Sequence, residues 1–140
     1  MKGIRKPETR RIDLSGGHWM LVKKHLNAGE QRNVYAGSIA GGLLVQGEKP
    51  KIDPKRVGIA QIVEYLLDWS IPNVDGSVIP VRDKSAAEVE AALNAIDGED
   101  LMEIQAAIQK HDADMEAERA AEKNVQAGAT TSSATLESVA

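Results

Sequence analysis

The side chains best suited to chemistry in this sequence stand alone. Its three histidines, His18, His25 and His111, are far apart, and there is no cysteine. A zinc or nucleophile site draws on a second ligand or a base close by in a recognisable motif, and none of the three has such a partner in sequence. The densest polar stretch is Asp68–Val81, DWSIPNVDGSVIPV, where an Asn, an Asp and a Gly follow a Trp and a Pro. As a calcium loop it would need oxygen ligands at loop positions 1, 3 and 5, Gly at 6 and Glu at 12. With Gly76 sixth, Asp75 and Asn73 fall fifth and third, but the first place is Ile71 and the twelfth is Arg82. The metal reading fails. AGSIAGG lacks the Gly-Lys-Ser/Thr that completes a phosphate loop. Glu99, Asp100 and Glu103 gather where a helix should begin and complement its dipole. No catalytic residue, metal ligand or cofactor is expected.

The same stretch reads well as a structural turn. Asn73 and Asp75 offer side-chain oxygens to nearby backbone N–H groups, and Gly76 supplies a positive φ. Val78 and Val81 then run extended. Trp69 has two uses open to it: packing over the end of a helix beneath that returning segment, or anchoring a partner.

The elements that must hold these groups follow from local signals. Residues 1–10 look like a flexible basic arm. RRIDLSGGHWMLVKKHL reads as two strands joined at Ser15-Gly16-Gly17, with Trp19, Leu21 and Lys23 on one face and Met20, Val22 and Lys24 on the other. Apolar residues on both faces leave the register open. Asn27 and Glu30 suit a capping box for a weak, glycine-bearing helix over about 28–40. Asp53-Pro54 starts the strongest helix, which is predicted to run to Trp69 and stop before Pro72. Its buried stripe is Ile59, Ile62, Val63, Leu66 and Leu67. Ser85 and Glu88 cap a short helix. A last helix from Asp97 or Gly98 carries Leu101, Ile104, Ile108, His111 and Met115 at steps of three and four. From residue 124 onward the chain is small and polar and is predicted to be disordered. A short extended piece within 40–52 stays an open question.

The predicted architecture is thus α+β and mainly α: a small N-terminal β-hairpin packed with about four helices in a single domain over 11–123, before a disordered tail over 124–140. With 140 residues, 27% charged and 42% hydrophobic, the composition is that of a soluble globular chain. The core must rest on aliphatic side chains, because aromatics make up 3% and Phe is absent. No apolar run approaches a membrane span, and the basic start is not followed by the apolar core of a secretory signal. The net charge of −4 conceals an asymmetry: residues 1–60 carry 12 Lys and Arg against 5 Asp and Glu, and the remainder is acidic. The basic half raises a nucleic-acid reading, against which stands the lack of interleaved aromatics for base stacking.

In order, DLSGGHWMLVKKHL, NAGEQRNV, IVEYLLDWSIPNVDGSVIPV, a small capped helix and LMEIQAAIQKHDADMEAE resemble a tail assembly chaperone of long-tailed, siphovirus-like bacteriophages. The resemblance covers roughly residues 11–123. It implies a non-enzymatic role in the host cell cytoplasm: binding the tape measure protein, keeping it soluble, and assisting assembly of tail tube protein around it. Such proteins are absent from the finished virion, and some have a longer product made by frameshifting, for which Glu122-Lys123-Asn124 offers a place. Binding of a helix in a groove would use Trp69, Leu66, Leu101, Ile104, Ile108 and Met115. Self-association is compatible with this. The other readings are a minor structural protein of the tail or head-tail connection, and a nucleic-acid-binding module.

Overall fold

Two consecutive glycines reverse the chain near its start. Gly16 and Gly17 take φ of 67° and 76°, a region that side chains with a Cβ rarely enter. Around them β1 (Thr9–Asp13) and β2 (Trp19–Lys23) pair antiparallel, with Ile12 opposite Met20 and Arg10 opposite Val22. This computed structural model describes residues 1, 3–39 and 51–139, with side chains, Lys55 excepted, as far as Asn124. The register that sequence left open is settled by burial. Met20 and Val22 are wholly buried, while Trp19, Leu21 and Lys23 lie half-exposed on the outer face. There the Arg11 guanidinium sits 5.1 Å from the centre of the Trp19 ring, within cation–π range.

Helix α1 (Ala28–Gly37) starts on a complete capping box: the Glu30 N–H donates to Asn27 Oδ1 at 2.8 Å, and the Asn27 N–H donates to Glu30 Oε1 at 2.9 Å. Burial raises the Glu30 carboxyl, but the Asn27 N–H and the paired Lys23 ammonium outweigh it and hold the group below its ordinary value. The helix stops three residues short of the predicted end. Its last residue, Gly37, weakens it locally but permits a close approach to α2 (Pro54–Tyr65), since a Cβ at Gly37 would lie 3.0 Å from the Ala60 Cβ. Arg56 joins three helices: Nε donates to the Gly37 carbonyl at 2.9 Å, and Nη2 donates to Glu90 on α3 (Ala86–Ala95) at 3.1 Å.

One prediction is corrected. The strongest helix does not reach Trp69; it ends at Tyr65, and Leu66–Trp69 forms strand β3. β3 pairs antiparallel with β2, placing Met20 opposite Trp69 and Leu21 opposite Asp68, and completes a sheet of order β1-β2-β3. Pairing satisfies backbone groups along the second edge of β2 that would otherwise stay open. Because Leu66 and Trp69 are buried as strand residues, and would also lie on the buried stripe of a helix, apolar spacing did not separate the two conformations.

Helix α3 follows a cap in which Ser85 Oγ accepts from the Glu88 N–H at 3.2 Å. The reciprocal half of the predicted box is replaced by Ser85 Oγ donating to the Glu88 carboxylate. Val89, Ala92 and Leu93 are buried beneath α3. Helix α4 (Gly98–Val139) begins with Asp97 Oδ1 accepting from the Glu99 N–H at 2.9 Å. The chain divides into two units, Met1–Gln109 and Lys110–Ala140, with α4 continuing from the first into the second. The predicted tail over 124–140 follows α4 as backbone to Val139; its side chains after Asn124 lie outside the described residues, as does most of the 40–52 question. At the borders of that segment Ile39 and Ile52 form one antiparallel bridge.

The Gly37–Ala60 approach yields a test by double-mutant cycle. Gly37→Ala should destabilise the fold by about 1–3 kcal/mol through overpacking. Ala60→Gly should cost about 1 kcal/mol as a helix-interior glycine. Urea denaturation of the double variant should show it more stable than the two single losses added together.

Candidate functional site

Trp69 is 1% exposed, and its indole N–H donates to the Ile79 carbonyl at 2.8 Å. Of its two possible uses the structure takes the first: the ring packs in the core, covered by the segment that returns through Val81. Between Trp69 and Ile79 the polar stretch is a rigid turn. The Gly76 N–H donates to the Asn73 carbonyl at 2.9 Å with Gly76 at φ 85°, and the Val74 N–H donates to Asn73 Oδ1 at 2.8 Å. Asp75 Oδ1 accepts from both the hydroxyl and the N–H of Ser77, and these two bonds hold its carboxyl below the ordinary aspartate range. The turn is closed by the Asn73 N–H donating to the Ser77 carbonyl at 2.6 Å and the Ile79 N–H donating to the Ile71 carbonyl at 3.0 Å. Val74 stands fully exposed at its tip.

A second constellation escaped sequence reasoning altogether. Ser15, His18, Ser70 and Glu103 converge from the hairpin turn, the end of β3 and the start of α4. The Ser15 N–H and Oγ–H donate to the two Glu103 carboxylate oxygens at 2.7 and 2.8 Å. His18 Nδ1 lies 3.3 Å from Ser70 Oγ, which also accepts from the Trp19 N–H at 2.9 Å. Serine, histidine and a carboxylate invite comparison with a catalytic triad, in which the carboxylate orients the histidine and the histidine takes the serine proton. The bonds here run otherwise. Glu103 spends both oxygens on Ser15, and Ser70 holds the β2 backbone. The cluster ties the hairpin turn to α4 and β3. The Ser15 N–H first, then its hydroxyl, and then the His18 charge keep the Glu103 carboxyl below its ordinary value.

These two structures flank an open cleft of about 610 Å³. Leu14, Ile71, Ile79, Ile96 and Ile104 give it an apolar lining, Val74 forms a lip, and Asp97, Asp100 and Glu103 stand at its polar side. Among the described residues lining it there is no Lys or Arg, and His18 is the only ionisable base. A recess of about 490 Å³ elsewhere on the same unit is mixed in sign, with Lys23, Arg82 and Lys84 beside Glu64 and Asp68.

The residues that sequence offered for partner binding are placed differently. Trp69, Leu66, Ile104 and Ile108 are buried in the core cluster, and Leu101 packs half-buried against it. Met115 lies further along α4, in the second unit. Of the six, Ile104 alone also lines the cleft. Asn73, Asp75 and Gly76 come together as the predicted turn. The other lining residues come from three separated places in the chain, and the one local signal for them was an apolar Val74 inside an otherwise polar turn. Among the described residues no group of three His, Cys, Asp or Glu side chains could hold a metal ion, and no helix is long and apolar enough to cross a membrane. Compared with protein-family models, with curated proteins and with solved structures, the chain gives no match in any of the three.

The Ser15–Glu103 tie sets a pH dependence. A carboxyl whose folded pKa is depressed contributes stability that is fully present above its unfolded value, about 4.3, and is lost as the pH falls through the folded value. Denaturant titrations between about pH 6 and pH 3 should therefore show a steeper acid loss for the parent chain than for Glu103→Gln. Equal slopes would show that the tie contributes nothing.

Proposed function

We propose that this chain is a non-enzymatic assembly chaperone of a long bacteriophage tail, which binds the tape measure protein, keeps it soluble in the host cytoplasm while tail tube protein assembles around it, and leaves before the particle is complete. One observation carries the reading. The stretches that give the sequence its resemblance to such chaperones are distant in the chain, yet they interlock: DLSGGHWMLVKK pairs along β2 with the LLDW strand, and its turn is bonded to Glu103 of the last helix. Stretches that carry the resemblance are thus in direct contact within the first unit. The polar groups closest to a catalytic arrangement support the same reading, since their hydrogen bonds are used to hold elements together.

The open cleft fits this role. A chaperone for long amphipathic helices needs an apolar surface that is accessible without unfolding. The alternative of a minor structural protein of the tail or head-tail connection differs in where the protein ends up.

Co-expression with the tape measure protein of the same genome tests the proposal. The tape measure protein should move into the soluble fraction and co-purify with this chain, and mass spectrometry of purified virions should not find the chain. An insoluble tape measure protein that does not co-purify would overturn the chaperone reading. Stoichiometric presence in virions would make the chain a structural component.

A further inference from the structure

We infer that the cleft beside Val74 is a docking groove for an amphipathic helix whose apolar stripe is flanked by Lys or Arg. This names the binding face and the partner chemistry, and it rests on the chaperone reading for the identity of the partner.

Three observations point to that occupant. The first is shape and polarity: half-buried Leu14, Ile79 and Ile96 line an open cleft of about 610 Å³ over the buried Ile71 and Ile104, a volume typical of binding sites. Beside them Val74 is fully exposed, yet its backbone is pinned by the Asn73 side chain and by the bonds that close the turn. An apolar residue presented on a pre-ordered turn meets a partner with little loss of conformational freedom.

The second observation is charge. Asp97 and Asp100 lie exposed at the cleft, Glu103 adds a carboxyl whose lowered pKa keeps it ionised, and no Lys or Arg among the described lining residues offsets them. Such a rim attracts cations and disfavours acidic partners. The mixed charges of the other recess carry no such preference.

The third observation is backbone satisfaction. An added strand needs unpaired main-chain groups to bond to. Three N–H groups along the cleft are in use: the Leu14 N–H bonds the His18 carbonyl at 2.8 Å, the Asn73 N–H bonds Ser77, and the Ile79 N–H bonds Ile71. This favours an occupant that satisfies its own backbone, as a helix does.

The test uses the full chain and a fluorescein-labelled peptide of about 18 residues, long enough to populate a helix, built from Leu at i, i+3, i+4, i+7 spacing and Lys elsewhere. A second peptide carries Glu in place of Lys. Fluorescence anisotropy should show the Lys peptide binding with an affinity that falls as salt is added, and the Glu peptide binding at least about tenfold more weakly. Val74→Ser should weaken the Lys peptide about tenfold with the salt slope unchanged. Asp100→Lys should weaken it and flatten the slope. Met102→Ser, at an exposed apolar position outside the cleft, should bind as the parent does. Equal binding of both peptides, no binding of either, or parent-like binding by both Val74→Ser and Asp100→Lys would overturn the groove. Solubilisation of the tape measure protein by the parent and by both cleft variants alike would remove the groove while leaving the chaperone reading intact. Peptide binding at the cleft without that solubilisation would do the reverse.

Discussion

One indole holds the first unit in its shape. A buried tryptophan brings a large apolar surface and a single N–H that must find an acceptor. In a chain with no Phe, two Trp and two Tyr, few other side chains can fill that volume. Trp69 reaches the core because β3 pairs with β2, and its N–H is satisfied because the chain turns at Asn73–Ser77 and brings the Ile79 carbonyl back to it. The turn's side-chain bonds thus serve a constraint set elsewhere. They let a polar loop return an acceptor to a buried donor within ten residues, and the same projection leaves Val74 standing over the cleft.

What was legible in the sequence is what depends on near neighbours. The Gly16-Gly17 reversal, the Asn27–Glu30 box, the Asp53-Pro54 start and the Asn73–Gly76 turn are decided by residues within a few positions of one another, and the structure contains each of them. β3 was hidden because Leu66 and Trp69 satisfy the buried spacing of a helix, and the open edge of β2 that claims them lies more than forty residues earlier. Glu103 read as a carboxylate at a helix start, and it is one. Its second task, holding Ser15 across 88 positions, has no local trace. The cleft was illegible for the same reason, being assembled from a hairpin turn, a loop and the junction of two helices.

Charge follows a comparable division. Near pairs close within each half of the chain, as with Lys24 and Glu8 at 3.5 Å or Arg82 and Asp68 at 3.9 Å, and such exposed pairs contribute little to stability. Arg56 and Glu90 join the basic half to the acidic half, and that pair is reinforced by the bond from Arg56 to the Gly37 carbonyl. Acidity at the cleft is a local concentration on one side of the unit, a distribution that net charge alone does not convey.

The passage from α2 into β3 has no connecting loop: Tyr65 is the last helical residue and Leu66 the first of the strand. Most junctions between elements can absorb a residue gained or lost, because a loop takes up the difference. This one has no loop, and β3 already carries one residue without a β2 partner, Leu67, at the shift in register between Leu21 and Val22. A further added residue that moved the strand by one place would turn alternate side chains to the opposite face, sending Trp69 outward and drawing the Asp68 carboxylate into the core. Insertions and deletions at positions 65–66 should therefore be purged during evolution even where substitutions are tolerated, so the distance from Pro54 to Trp69 should vary less among descendants than the residues that fill it.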